Sequence, residues 1–178
     1  NKSWIKIKLL FDNYVGYIQN KQFTQKTNFN YKVSSLKAKI FKRPNLGTKS
    51  YLTFGSKVSA IDKNENYIKI QKNKWIKKDD IKKINHKEKN FIKIFKKFLQ
   101  VKYVWGGKSC RGIDCSALLQ IFFYYNGLFY PRDTKDQIKY SKGKFKKKTF
   151  KKGDIIFWKG HVAICLNSKK LIHAYGPE

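Results

Sequence analysis

One cysteine and two histidines stand where the chain can bring them together. Cys115 lies in Gly112-Ile113-Asp114-Cys115-Ser116-Ala117-Leu118-Leu119-Gln120, between a glycine-rich loop, Tyr103-Val104-Trp105-Gly106-Gly107, and a strongly apolar run with helical period. A sulfur at a helix N-terminus faces unpaired amide hydrogens and the positive end of the helix dipole, both of which favour the attacking thiolate. The same amides can donate to the oxygen that turns negative in a tetrahedral intermediate. His161 opens the alternating segment His161-Val162-Ala163-Ile164, and His173 follows twelve residues later in Leu171-Ile172-His173-Ala174. That separation suits neighbouring antiparallel strands joined by a tight turn. The chemistry is acyl transfer through a thioester: Cys115 attacks, His161 serves as general base and then general acid, and His173 fixes the tautomer of His161.

Positioning these groups takes a helix and a sheet. Phe91, Ile94 or Phe95, Phe98 and Leu99 recur at three- and four-residue steps, which predicts an amphipathic helix over 87–101. A second helix is expected from Ser116 to about Asn126, closed by Gly127, and a third from Asp133 or Thr134, either of which suits an N-cap, to Gly143. Strands follow at Asp154 to Trp158, His161 to Leu166 and Lys170 to Tyr175, the last two joined through Asn167-Ser168. The sum is an α+β unit with helices first and an antiparallel sheet after.

Upstream, short strands alternate with turns: Lys32 to Phe41, Tyr51-Leu52-Thr53, Lys57 to Ile61, Tyr67 to Gln71 and Trp75-Ile76. Strands this short and this close suggest a small all-β barrel. Trp4 to Ile7 and Tyr14 to Ile18 echo its ending and hint at a tandem module. Half a barrel cannot close its sheet edges, so this piece should borrow strands or be poorly ordered.

The blocks YVWGG, GIDCSALLQ, PRDT with Gln137 after it, GDIIFW, GHVAI and LIHA run in order from about Tyr103 to Ala174. Together they resemble the NlpC-type, papain-like cysteine peptidases that cut bacterial cell-wall peptides. The resemblance implies a papain-like peptidase domain over 86–178. It is preceded by a region resembling a bacterial SH3-like β-barrel over 30–85, with a partial SH3-like module over 1–29. It implies hydrolysis of the amide between γ-D-glutamate and a diamino acid in peptidoglycan stem peptides, free or wall-attached, without metal or organic cofactor. Tyr103 matches the family tyrosine twelve residues before the cysteine and would add a donor to the oxyanion site. Asp114 and Ser116 match residues thought to bind the free amine or amide of the substrate, although Asp114 suits a helix cap equally well. Arg132, Asp133 and Gln137 resemble a segment that frames the cleft, and Asp133 suits an N-cap. Trp105 and Trp158 fit either a groove wall or core packing. The flanking Asp114 and Ser116 argue that Cys115 is not buried.

Composition sets outer bounds. The 41 basic residues against 11 acidic give +30, a charge that suits nucleic acid or an anionic surface. Only Arg43, Arg111 and Arg132 are arginines, and the lysines are spread through the whole chain. That pattern looks like drift in an AT-rich genome, so no nucleic-acid partner is expected. Two rivals to the peptidase remain, a basic nucleic-acid-binding module and a wall-binding or acyl-transfer protein on the same fold. Cys110, Cys115 and Cys165 lack metal-ligand spacing with the histidines. Cys165 reads as a buried small hydrophobe, Cys110 as incidental, and His86 as part of a charged linker. No apolar run reaches membrane-spanning length, and the compartment, periplasm or envelope against cytoplasm, is unread. The absence of methionine, and an end at Glu178 where the resembling family continues, lead to the expectation of a piece of a longer chain.

Overall fold

Alternating apolar residues in the first half fold as strands, and the periodic run after residue 114 folds as a helix. The computed structural model describes residues 3–20, 28–141 and 149–176. An N-terminal hairpin comprises β1 (Trp4–Lys8) and β2 (Val15–Gln19), which pair antiparallel with each other. The all-β region follows with β3 (Tyr31–Val33), β4 (Lys37–Arg43), β5 (Leu46–Thr53), β6 (Lys57–Val58), β7 (Asp62–Lys63), β8 (Tyr67–Gln71), β9 (Lys74–Lys77) and β10 (Ile81–Lys83). Helix α1 (Phe91–Phe95) leads through a 3-10 turn to the short hairpin β11 (Lys108–Ser109) and β12 (Gly112–Ile113). Then come α2 (Cys115–Tyr125), α3 (Thr134–Ser141), β13 (Ile155–Trp158), β14 (His161–Cys165) and β15 (Leu171–Ile172).

The all-β region holds two sheets, β5-β4-β9-β8-β7 and β10-β3-β6. They enclose a shared core of Val33, Ala38, Val58, Ile68, Ile76 and Ile81. The single strand expected over Lys32 to Phe41 is two strands, because Ser34 and Ser35 turn away to bond Asp80. The sheet β13-β14-β15 is antiparallel throughout, and α2 packs on β14.

The first helix is shorter than its period suggests. Asn90 caps it by accepting from the Ile92 amide, so the α turn begins at Phe91 and tightens to 3-10 geometry by Phe98. Residues before Asn90 are claimed elsewhere: the Glu88 amide and carbonyl both bond the side chain of Asn126. Ile94, Phe95 and Phe98 are the fully buried residues of the segment and meet Phe54, Leu118, Ile121 and Tyr125, with Phe91 and Val101 packed at the edge of that core. Phe54 stacks on Tyr125 at 4.7 Å between ring centres, fastening the all-β region to α2. The expected end of α3 at Gly143 lies outside the described residues.

Helix α2 is fixed at its C-terminal end by cations. The buried Lys32 ammonium donates to the carbonyls of His86 and Tyr125 and lies 4.2 Å from the centre of the Tyr125 ring. Lys87 donates to the Asn126 carbonyl, and Gly127 closes the helix at φ +66°. Burial, together with Lys87 and Lys57, pulls Lys32 down from 10.5 to about 8. A lysine lowered on folding binds fewer protons than in the unfolded chain between those values, so stability rises with pH across that window. Urea unfolding at pH 7.5 and 9.5 should show the wild type gaining stability relative to Lys32→Met over this interval. A constant difference between the two proteins would contradict the assignment.

Candidate active site

Helix α2 begins at Cys115 because Asp114 caps it. The Asp114 carboxylate accepts from the Ala117 amide at 2.8 Å and the Ser116 hydroxyl at 3.1 Å. Gly106 donates its amide to the same carboxylate at 2.9 Å, drawing the glycine loop against the helix start. A β-carbon at Gly107 would lie 2.6 Å from the Gly112 carbonyl oxygen, so only glycine fits that crossing. The cap claims the Ala117 amide, and the Asp114 carbonyl takes the Leu118 amide. The amides of Cys115 and Ser116 are left as the free donors of the first turn.

Arg132 completes this arrangement. Its guanidinium grips both Asp114 oxygens, at 3.0 and 2.6 Å, and donates to the Ser116 hydroxyl at 2.8 Å. Gln137, fully buried, donates to the carbonyls of Ser116 and Pro131. Asp114, Cys115 and Ser116 are consequently all buried, against the expectation that the polar neighbours keep the cysteine exposed. Burial is tolerated because five donors saturate the carboxylate. A substrate amine would have to displace one of them. Asp133 contributes its backbone carbonyl, not a described side-chain cap, accepting from the amides of Asp136 and Gln137.

Cys115 still reaches a groove of about 460 Å³, lined also by Tyr103, Trp105, Asp114, Ser116, Arg132 and Gly160. Trp105 is 84% exposed and Trp158 is 45% exposed, so neither is core packing. Tyr103 is half-buried and bridges to Ile113. Burial first, then the proximity of Cys115 and Asp114, raises the pKa of its phenol, which keeps it a protonated donor.

His161 stands beside Gly160 at the first position of β14, whose next residue, Val162, shares a buried cluster with Cys115. Its Nε2 lies 2.8 Å from Nδ1 of His173, and the Trp158 ring covers it at 4.6 Å between ring centres. When Nε2 of His161 carries the proton of that contact, its Nδ1 is left as the proton-accepting atom. β15 ends at Ile172, so His173 sits just past the strand expected to carry it. Burial, then the neighbouring His173, lowers the pKa of His161 below its ordinary value. With His161 as the general base, the acid limb of kcat/KM is expected to fall below its ordinary 6.5, since its neutral form persists to lower pH. His173→Gln removes the neighbouring imidazole that lowers His161, so the limb should move upward with plateau kcat within about tenfold. His173→Ala should lose about 10²-fold in kcat. An unmoved limb in His173→Gln would contradict this pairing.

Sequence reasoning missed the N-terminal contribution. The loop between β1 and β2 does not pair with other strands; it inserts against α2. Asp12 is buried, accepts from Gln120 at 3.0 Å and pairs with Lys108 at 3.5 Å, while Phe11 meets the Tyr124 ring edge-on. Tyr14 thereby becomes a wall of the Cys115 groove. Asp12-Asn13 is a legible turn signal, but nothing local says where it docks. Cys110 lines a different cavity and Cys165 is buried; among the described residues no disulfide joins the cysteines. His86 packs edge-on against Tyr125. Among the described residues no helix is long and apolar enough to cross a membrane.

The fold resembles a crystal structure of an NlpC/P60 family protein from Bacillus cereus ATCC 10987. The TM-score is 0.77 at 22% identity, over 96% of this chain and 67% of that one. In sequence the chain is 29% identical over 137 residues to a gamma-D-glutamyl-L-lysine dipeptidyl-peptidase of Bacillus subtilis, covering 69% of this chain and 46% of the relative. It is 33% identical over 85 residues to dipeptidyl-peptidase 6 of Lysinibacillus sphaericus (48% and 31%). It is 40% identical over 80 residues to a probable endopeptidase of Haemophilus influenzae (40% and 49%). The chain thus spans less than half the length of these curated relatives. Residues 100–178, the segment that carries Cys115, Arg132, His161 and His173, match the model of the NlpC/P60 family.

Proposed function

We propose that the chain is a cysteine peptidase hydrolysing the amide between γ-D-glutamate and the diamino acid of peptidoglycan stem peptides. The observation that carries this reading is Cys115 on the groove wall at the start of α2, with His161 on β14, the strand packed against that helix, and His173 in contact with it from just past β15. The Cys115 sulfur adds to the scissile carbonyl and its proton passes to Nδ1 of His161. The amides of Cys115 and Ser116, with the Tyr103 hydroxyl, hold the resulting oxyanion. His161 returns the proton to the leaving amine as the carbon–nitrogen bond breaks, leaving a thioester. Water, deprotonated by His161, then attacks the thioester carbonyl, freeing the acid and the thiol. None of these steps calls for a metal or organic cofactor.

Arg132 and Ser116 shape the substrate end of the groove, Trp105 forms its open wall, and Asp114 holds this set in place. Residues 86–178 act as the papain-like peptidase domain, 30–85 as an SH3-like barrel and 1–29 as a partial SH3-like module whose Tyr14 narrows the cleft. Such a cleft favours short, free stem peptides over intact wall. Carboxylates on these peptides are drawn to a chain of net charge +30, an effect on rate that weakens with salt. The test compares L-Ala-γ-D-Glu-diaminopimelate with its α-linked isomer. Diaminopimelate should be released from the first and not from the second; equal release, or release from neither, would defeat the proposal.

A further inference from the structure

A cavity of about 540 Å³, larger than the groove beside Cys115, opens where the start of β4, the segment after α1 and the β11–β12 turn converge. Its walls carry Lys37, Lys96, Lys97, Lys102 and Arg111 and, among the described residues, no carboxylate. None of the five is ion-paired among the described residues, whose salt bridges engage Lys93, Lys108 and Arg132. The Cys115 groove differs, since its cations stand beside Asp114 and Asp133.

Tyr51 organises one lip of this cavity. Its hydroxyl accepts from Nε of Arg111 at 3.3 Å, and its ring centre lies 5.4 Å from the Lys37 ammonium and 5.8 Å from the Arg111 guanidinium carbon. With Nε engaged, both terminal amino groups of Arg111 remain for a ligand, in the planar fork that matches a phosphate. Like charges gathered around one concavity repel, and an entering anion relieves that repulsion. A net charge of +30 spreads basic surface everywhere, so charge alone does not select this place. The concave shape, the absence of acid from its walls among the described residues and the Tyr51-held arginine do.

We propose that this cavity binds a compact oligophosphate, a ligand with two or three linked phosphate groups, at a site separate from the peptidase groove. Its volume lies within the range of small-ligand pockets, roughly 300–1,000 Å³. The lysines serve as point charges and Arg111 as the bidentate partner. The ligand touches β4 on one side and the α1 and β11–β12 segments on the other, so its binding raises the melting temperature of the whole chain.

Calorimetric titration with tripolyphosphate at 150 mM salt tests this independently of any peptidase activity. The wild type should bind one equivalent. The variant Lys97→Gln/Lys102→Gln/Arg111→Gln should bind at least about tenfold more weakly, while Lys6→Gln/Lys8→Gln/Lys72→Gln, neutralised on exposed strands and a turn, should change less than about twofold. Equal weakening in both variants, several equivalents bound, no binding at all, or an affinity for single-stranded DNA that grows with length would each overturn the proposal. If the cavity variant fails to show a cooperative melt, Lys97→Gln and Arg111→Gln alone carry the test, each expected to weaken binding about threefold or more.

Discussion

Cys115→Ala should lose at least about 10⁴-fold in hydrolysis of the γ-D-glutamyl amide while still melting cooperatively within a few degrees of the wild type. No other thiol can substitute. Cys165 is buried in β14 and Cys110 faces the basic cavity, whereas Cys115 alone among the three lines the groove. The sulfur packs with Leu119, Tyr130 and Val162, so its loss removes one small buried atom, a cost of about 1 kcal/mol. Steady-state kinetics and a thermal melt check both halves. Retention of a tenth of the activity would remove Cys115 from the mechanism.

Arg132→Leu should destabilise the chain by about 3–5 kcal/mol, a fall in Tm of roughly 6–20 °C. The Asp114 and Arg132 side chains are only 9% and 11% exposed, so removing the guanidinium strands a carboxylate in the interior. The carboxylate also holds the first turn of α2 and the Gly106 loop, so kcat should fall together with stability. Arg132→Lys keeps the charge but loses the two-pronged grip and should fall between the two. Adding Asp114→Asn to Arg132→Leu should recover part of the stability, because no buried charge then lacks a partner. Denaturant unfolding of the four proteins decides this, and a cost below about 1 kcal/mol for Arg132→Leu would contradict a buried pair.

The second helix and the histidine strands were legible because their signals are local. Asp114 before an apolar period is a cap, Gly127 a stop, and twelve residues between two histidines a hairpin. Helix α2 came out one residue from its expected start, and the two imidazoles do meet. The first helix was overestimated because periodicity is blind to competing partners: Asn126, far along the chain, claims Glu88. The burial of Cys115 was misjudged for the same reason, since Arg132 neutralises Asp114 across eighteen positions. Least legible was the hairpin of β1 and β2. Its alternation announces strands, but the contact of Asp12 with Gln120 spans 108 positions and leaves no local trace.

The central claim is a covalent acyl group on Cys115, and trapping it is the most direct test. L-Ala-γ-D-Glu-diaminopimelate is mixed with excess enzyme, quenched in acid within milliseconds, and the protein mass is read intact and after digestion. The expected result is a gain equal to the L-Ala-γ-D-glutamyl group, mapped to the peptide holding Cys115 and absent from Cys115→Ala. An adduct on another residue, or full turnover by Cys115→Ala, would contradict the account.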